Sequence, residues 1–123
     1  MGVNQDAAIA FLQLASAGRV GEAFAAHVAD GFQHHNPFFA GEARALMTGM
    51  EDNARQNPGK VLRVLRTLED GDLVAVHSHV RQQPDDRGAV VVHIFRFASG
   101  RIAELWDVGQ PVPDESVNVN GMF

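Results

Sequence analysis

An α+β fold, with helices and sheet in separate layers, is the architecture this sequence predicts. Helical periodicity is confined to the first half of the chain, and long extended segments joined by tight turns fill the second. No internal repeat, low-complexity tract or linker interrupts the 123 residues, so residues 1–123 read as one domain. Few helices facing several long strands predict a sheet that curls around a ligand cavity.

The elements follow in order. Asn4 is placed to cap a first helix, with Asp6 favourably set against its dipole. Ala8, Phe11, Leu12 and Ala15 make its apolar face, and Gly18 ends it. A second helix carries Val20, Ala23, Phe24 and Val28 on one side and Arg19 and Glu22 on the other, with Asp30-Gly31 as its stop. Phe32 to Asn36 reads as a short extended piece closed by Pro37. After Gly41, Ala43, Leu46, Met47, Met50 and Ala54 set the inner face of a third helix that ends at Asn57-Pro58-Gly59.

Lys60 to Glu69 has apolar spacing that also suits a helix. Its tight bounds, Pro58-Gly59 and the hairpin signal Asp70-Gly71, favour a strand. Further strands are expected over Leu73 to Gln83, Ala89 to Ala98 and Arg101 to Gln110. A polar turn at residues 84–88 and Ser99-Gly100 separate them, and Pro111 and Pro113 close the last.

Composition removes several chemistries. Without cysteine there is no disulfide, thiolate metal site or cysteine nucleophile. The formal charge is −5 and the basic residues are scattered, a poor match to nucleic acid or an anionic membrane. Residues 1–6 lack the character of a secretory signal, and no apolar run approaches the ~18 residues of a membrane span. A soluble, cytoplasmic protein is expected. Tyrosine is also absent, so a donor to a developing oxyanion must be His, Asn, Gln, Trp or backbone. Nucleotide-binding and serine-hydrolase glycine motifs are missing.

Polar residues on otherwise apolar strands are the candidates for function. Asp107 is expected to share a face with Ala103, Leu105 and Gly109, while Trp106 points opposite with Ile102 and Val108. A carboxylate flanked by Trp106 and Val108 on a buried strand is expected to have a raised pKa, which suits a general base beside a carbonyl. Pairing with an arginine or with strand-end backbone is the structural alternative. His93 lies nearly symmetric to Asp107 about Ser99-Gly100, so the two can meet across the hairpin; a core histidine is the alternative. His77 and His79 share a face and could hold a metal only if a third ligand converged; a polar pocket wall or an exposed pair is favoured. His35 and Asn36 precede Pro37 where a loop could enter a pocket, with Phe38 and Phe39 as lid or core filler and Gln110 as a strand-end donor.

Taken together, several segments resemble the SnoaL-like polyketide cyclases of the NTF2-like superfamily. They are Phe32-Gln33-His34-His35-Asn36-Pro37, His77-Ser78-His79-Val80-Arg81, Ile94-Phe95-Arg96-Phe97 with Gly100-Arg101-Ile102, and Glu104-Leu105-Trp106-Asp107-Val108, together with the ending from Gln110 to Phe123. The resemblance implies an NTF2-like cone: three N-terminal helices on a curved, mostly antiparallel sheet enclosing a pocket, usually in a homodimer. It implies ring closure by intramolecular aldol condensation without metal or cofactor. Asp107 matches the acid–base aspartate of the W-D motif, His35 the H-N-P histidine, and His77 and His79 the H-x-H pair. The chain departs from close relatives at His93, often Asp there, at Leu105, often His, and at His34, often Gln.

The expectation is therefore a cofactor-free acid–base lyase or isomerase acting on a small hydrophobic or carbonyl-containing molecule. Asp107, His93 and His35 are its candidate catalytic residues, and Asn36, Phe38, His77, His79, Trp106 and Gln110 its candidate substrate contacts. Cyclisation, isomerisation and dehydration share the same first proton transfer. A non-catalytic small-molecule binding module is the alternative.

Overall fold

The computed structural model describes residues 2–123 and places three helices against one face of a five-stranded, curved sheet. The helices are α1 (Val3–Ser16), α2 (Val20–His27) and α3 (Ala43–Gln56). The strands are β1 (Val28–His34), β2 (Val61–Asp70), β3 (Leu73–Arg81), β4 (Ala89–Ala98) and β5 (Arg101–Pro111), in the order β1-β5-β4-β3-β2. Neighbours are antiparallel except β1, which runs parallel to β5.

Two helix boundaries differ from expectation. Gly2, rather than Asn4, caps α1: its N–H donates to Gln5 Oε1 at 2.7 Å, and Gln5 Nε2 reaches across to Thr67 Oγ1 on β2 at 3.0 Å. Asp30-Gly31 does not end α2. The chain turns directly from His27 into β1, and Gly31 lies within that strand at φ 77°, where the β1–β5 register shifts. The expected short piece at Phe32–Asn36 is thus the end of a longer strand.

The helix-period ambiguity of the segment after Pro58-Gly59 resolves as a strand, since its polar backbone pairs along β3. At the β2–β3 turn Asp70 pairs with Leu73, and Gly71 takes the positive φ (61°) of the first loop position. At the β4–β5 turn both Ser99 (φ 51°) and Gly100 (φ 78°) are left-handed, the geometry that matches strand twist in a two-residue hairpin.

Between helices and sheet lies the core. Ala8, Phe11 and Leu12 of α1, Val20, Ala23 and Phe24 of α2 and Leu46 of α3 meet Val74, Val76, Phe95, Phe97, Ile102 and Leu105. Phe11 contacts Phe24 and Phe95 edge-on, at 5.4 and 5.9 Å between ring centres. Each such side chain, fully buried, contributes roughly 1.5–3 kcal/mol. The apolar faces predicted for all three helices are the faces that pack here.

One irregularity decides the position of the site. Phe97 pairs with Ile102, yet Arg96 pairs with Glu104, leaving Ala103 as an extra residue in β5. Ile102 and Leu105 therefore both face the core, whereas strict alternation had set Ile102 opposite Leu105. Beyond the bulge, Asp107 lies directly opposite His93 on the core side, and Trp106 opposite Ile94 on the outer side.

Candidate functional site

Below the core, towards the ends of α1 and α3, the inner face of the sheet opens into two adjoining cavities. They share four residues: Met50, Lys60, His93 and Asp107. One cavity, about 210 Å³, is completed by Leu12, Ala15, Leu62, Val80, Gln82 and Val91, among others. The other, about 230 Å³, is completed by Asn36, Phe39, Leu46, Gly49 and Asn53. A larger groove of about 730 Å³ lies between α2, β1 and α3 around Phe24, Met47 and Arg101, without Asp107 or His93. Size does not outweigh chemistry here, and the paired cavities hold the convergent polar groups.

Asn36 positions the Asp107 carboxylate. Its Nδ2 donates to Asp107 Oδ2 at 3.1 Å, and its Oδ1 accepts the Phe38 N–H at 2.9 Å, which fixes the amide orientation. The loop behind Asn36 is fixed by His34. Its Nδ1 accepts the Asn36 N–H at 3.1 Å, so Nε2 carries the proton donated to Ala40 O at 2.5 Å. His34 is buried beside Phe32 and serves this loop rather than the cavity.

Trp106 and Val108 flank Asp107 along β5 and, as alternation placed them, face away from it. Their side chains project from the opposite face of β5, and Asp107 is half-buried against the cavity instead.

His93 faces Asp107 from the next strand; strict hairpin symmetry would have set it opposite Trp106, and the bulge at Ala103 brings Asp107 there instead. Burial pushes its imidazole pKa down to about 4; the Asp107 carboxylate pulls upward and Lys60 adds a smaller downward push. The ring is therefore neutral near pH 7. Its Nδ1 is buried without a protein partner, and the same holds for Gln82 Oε1 and for Ser78 Oγ on β3.

Lys60 stands just ahead of β2 and donates from Nζ to Asn53 Oδ1 of α3 at 2.8 Å. Burial lowers its pKa.

The remaining predicted residues are outside this cavity. His35 lies on the outer side of the sheet, its ring stacked on Trp106 at 5.0 Å and its Nε2 2.6 Å from Glu104 Oε2. Its N–H still pairs with Leu105 O, so alternation past His34 turns the side chain outward. Arg96 Nε also donates to Glu104, at 3.0 Å. These bonds, His35 first and Arg96 second, lower the Glu104 pKa.

His77 contacts Arg66, while His79 Nε2 meets Arg87 O at 2.8 Å and its ring stacks on Phe123. Among the described residues no group of three or more His, Cys, Asp or Glu converges as a metal-ligand set. Gln110 is exposed in a shallow outer cleft with Pro113, Ser116, Asn118 and Met122. Phe38 is 85% exposed, because the turn opened by Asn36 and Pro37 directs it to solvent. Its neighbour Phe39 lines the cavity and lies against Gly49, where α3 has no side chain to obstruct it.

The SnoaL-like domain profile matches residues 8–105. The chain belongs to the SnoaL-like family.

Solved structures agree on the fold. A SnoaL-like protein of unknown function from Burkholderia thailandensis superposes with a TM-score of 0.74 at 18% identity, over 88% of this chain and 95% of that one. A candidate isomerase of the SnoaL-like family from Agrobacterium tumefaciens gives 0.71 at 12% identity, over 89% and 99%. A candidate ketosteroid isomerase from Kribbella flavida gives 0.71 at 20%, over 94% and 84%. A search of curated proteins finds no match. At these identities the structural likeness establishes an α+β, NTF2-like cone and leaves the reaction to the site itself.

Lys60, Asn53 and Gln82 line this SnoaL-like cavity and were missed by sequence reasoning. A signal for Lys60 was present. It is the only lysine in the chain, and period two places it on the face of Leu62 and Val64, which pack against the core. Asn53 gave no comparable signal, since polar residues are ordinary at the end of an amphipathic helix.

Proposed function

We propose that this SnoaL-like protein is an acid–base lyase or isomerase in which Asp107 removes a proton alpha to a carbonyl of a small organic substrate. The observation that carries the reading is the Asn36-held carboxylate of Asp107, presented to a cavity that combines apolar walls with the polar groups of Asn53, Lys60 and His93. The Asn36 amide leaves Oδ1 without a hydrogen-bond partner among the described residues, so one carboxylate oxygen is available to a substrate C–H. Proton transfer to a positioned carboxylate typically accelerates a reaction by about 10²–10⁴-fold. Neutral His93, opposite Asp107, offers a hydrogen bond without competing for its charge. Asn36 and Phe39 form the wall on the loop side. His35, His77, His79, Trp106 and Gln110 have no place in this reading, because each lies on the other side of the sheet.

The reaction needs no cofactor, since both the C–H cleavage and the return of the proton are available to Asp107. In our reading the protein works in the cytoplasm as a homodimer joined through the outer face of the sheet, where Val90, Val92 and Val108 form an apolar strip.

Deuterium uptake by a panel of β-keto esters and small cyclic ketones in D₂O, read by mass spectrometry, tests the chemistry. Wild type should exchange its substrate, and Asp107→Asn should lower the rate by about 100-fold or more while leaving the fold intact. Undiminished exchange by a folded Asp107→Asn would remove Asp107 from the mechanism. No exchange by wild type across the panel would favour a binding module.

A further inference from the structure

We propose that Lys60 is the anion-holding group of the cavity, taking the enolate oxygen that forms when Asp107 removes a proton. The proposal rests on the reading of Asp107 as base and supplies a cationic donor for the enolate oxygen. With tyrosine absent and His35, His79 and Gln110 turned outward, the inner face retains few groups able to meet an oxyanion.

Lys60 lines both cavities together with Asp107. Its Nζ is held by a neutral partner, Asn53 Oδ1 at 2.8 Å, and no carboxylate lies within ion-pair distance of it among the described residues. An ammonium has three donors. Asn53 takes one, leaving donors for an oxyanion in the cavity. Burial already disfavours the uncompensated charge, consistent with its lowered pKa, so an anion entering the cavity is favoured.

The step balances without a further reactant. The α C–H bond breaks, and its proton passes to the Asp107 carboxylate. The bonding pair becomes the carbon–carbon π bond, and the carbonyl π pair moves onto oxygen. One negative charge leaves Asp107 and appears on the substrate beside Lys60, so the cavity's net charge is unchanged. A fixed positive group facing the position where charge develops is the arrangement that lowers such a barrier.

4-Nitrophenol, a stable oxyanion whose ionisation is visible by absorbance, is the probe, and uncharged nitrobenzene is the control for cavity shape. Wild type should bind the phenolate in preference to the phenol and lower its ionisation midpoint by about one pH unit, a tenfold preference for the anion. Lys60→Met and Lys60→Gln should abolish that preference while keeping nitrobenzene affinity within about twofold. Asp107→Asn, which removes a competing negative charge, should bind the phenolate more tightly. Equal phenolate affinity in wild type and both Lys60 variants would overturn the proposal, as would no saturable phenolate binding by wild type. The two readings fail separately. Lys60-dependent phenolate binding without deuterium exchange removes Asp107 as base and leaves the anion site. Asp107-dependent exchange with a phenolate insensitive to Lys60 removes the anion site alone.

Discussion

His93 shows how a single buried side chain links the cavity to stability. Its folded pKa of about 4 lies below the ordinary 6.5, so in between the unfolded chain binds the proton that the folded chain refuses. Its share of stability is therefore complete above about pH 6.5 and declines from there towards about pH 4, by at most about 1.4 kcal/mol per pH unit. Glu104 behaves differently. Its pKa is lowered from 4.5, so its contribution is present above that value and is lost only at lower pH. Chemical denaturation of wild type and His93→Gln between pH 7 and pH 4 should show a shallower decline in the variant. Parallel curves would mean that the His93 pKa is the same in the folded and unfolded chain. Asp107 and His93 were legible as candidates on facing strands in the sequence because both are polar on apolar strands and flank a short turn. His35 was misleading for the same kind of reason: its Pro-bounded motif suggests a pocket mouth, but strand alternation turns the ring onto Trp106.

At the scale of elements, the bulge at Ala103 governs which residue of β5 enters the cavity. In an uninterrupted hairpin closed at Ser99-Gly100, His93 would pair with Trp106, and Asp107 would point outward. Deleting Ala103 should therefore remove the bulge yet keep Glu104 opposite Arg96 and Asp107 opposite His93, so that Leu105 stays in the core and Asp107-dependent exchange survives. Loss of exchange in a folded deletion variant would show that the bulge itself, and not only the register beyond it, shapes the site. Helix faces, in contrast, were readable in advance. Ala8, Phe11 and Leu12, then Val20, Ala23 and Phe24, pack where their period placed them, because helix geometry offers no one-residue slip of this kind.

For the whole molecule, the helices cover one face of the sheet and leave the other to solvent. Val108 is 65% exposed there, next to Val90 and Val92. No helix among the described residues is long and apolar enough to cross a membrane. Our dimer reading assigns this strip to a second copy of the chain. Sedimentation at micromolar concentration should give a dimer mass for wild type and a monomer mass for Val108→Glu, which buries a charge at the contact. A monomeric wild type would dismiss the dimer. Because His77, Trp106 and Gln110 share this outer side, their substitution should act on association before catalysis.

The sequence by itself determined the segregation of helices from strands, the apolar faces, both two-residue hairpins and the placing of His93 and Asp107 on facing strands. Those features depend on local periodicity and on turn residues a few positions apart, which a single chain carries in plain view. Only the tertiary structure decided which polar residues share one cavity. Lys60, Asn36, Asn53, His93 and Asp107 come from a loop, a helix end and both halves of a bulged hairpin. Their meeting depends on one extra residue in β5 and on the curvature of the sheet, and a one-residue change of register reverses every side chain beyond it.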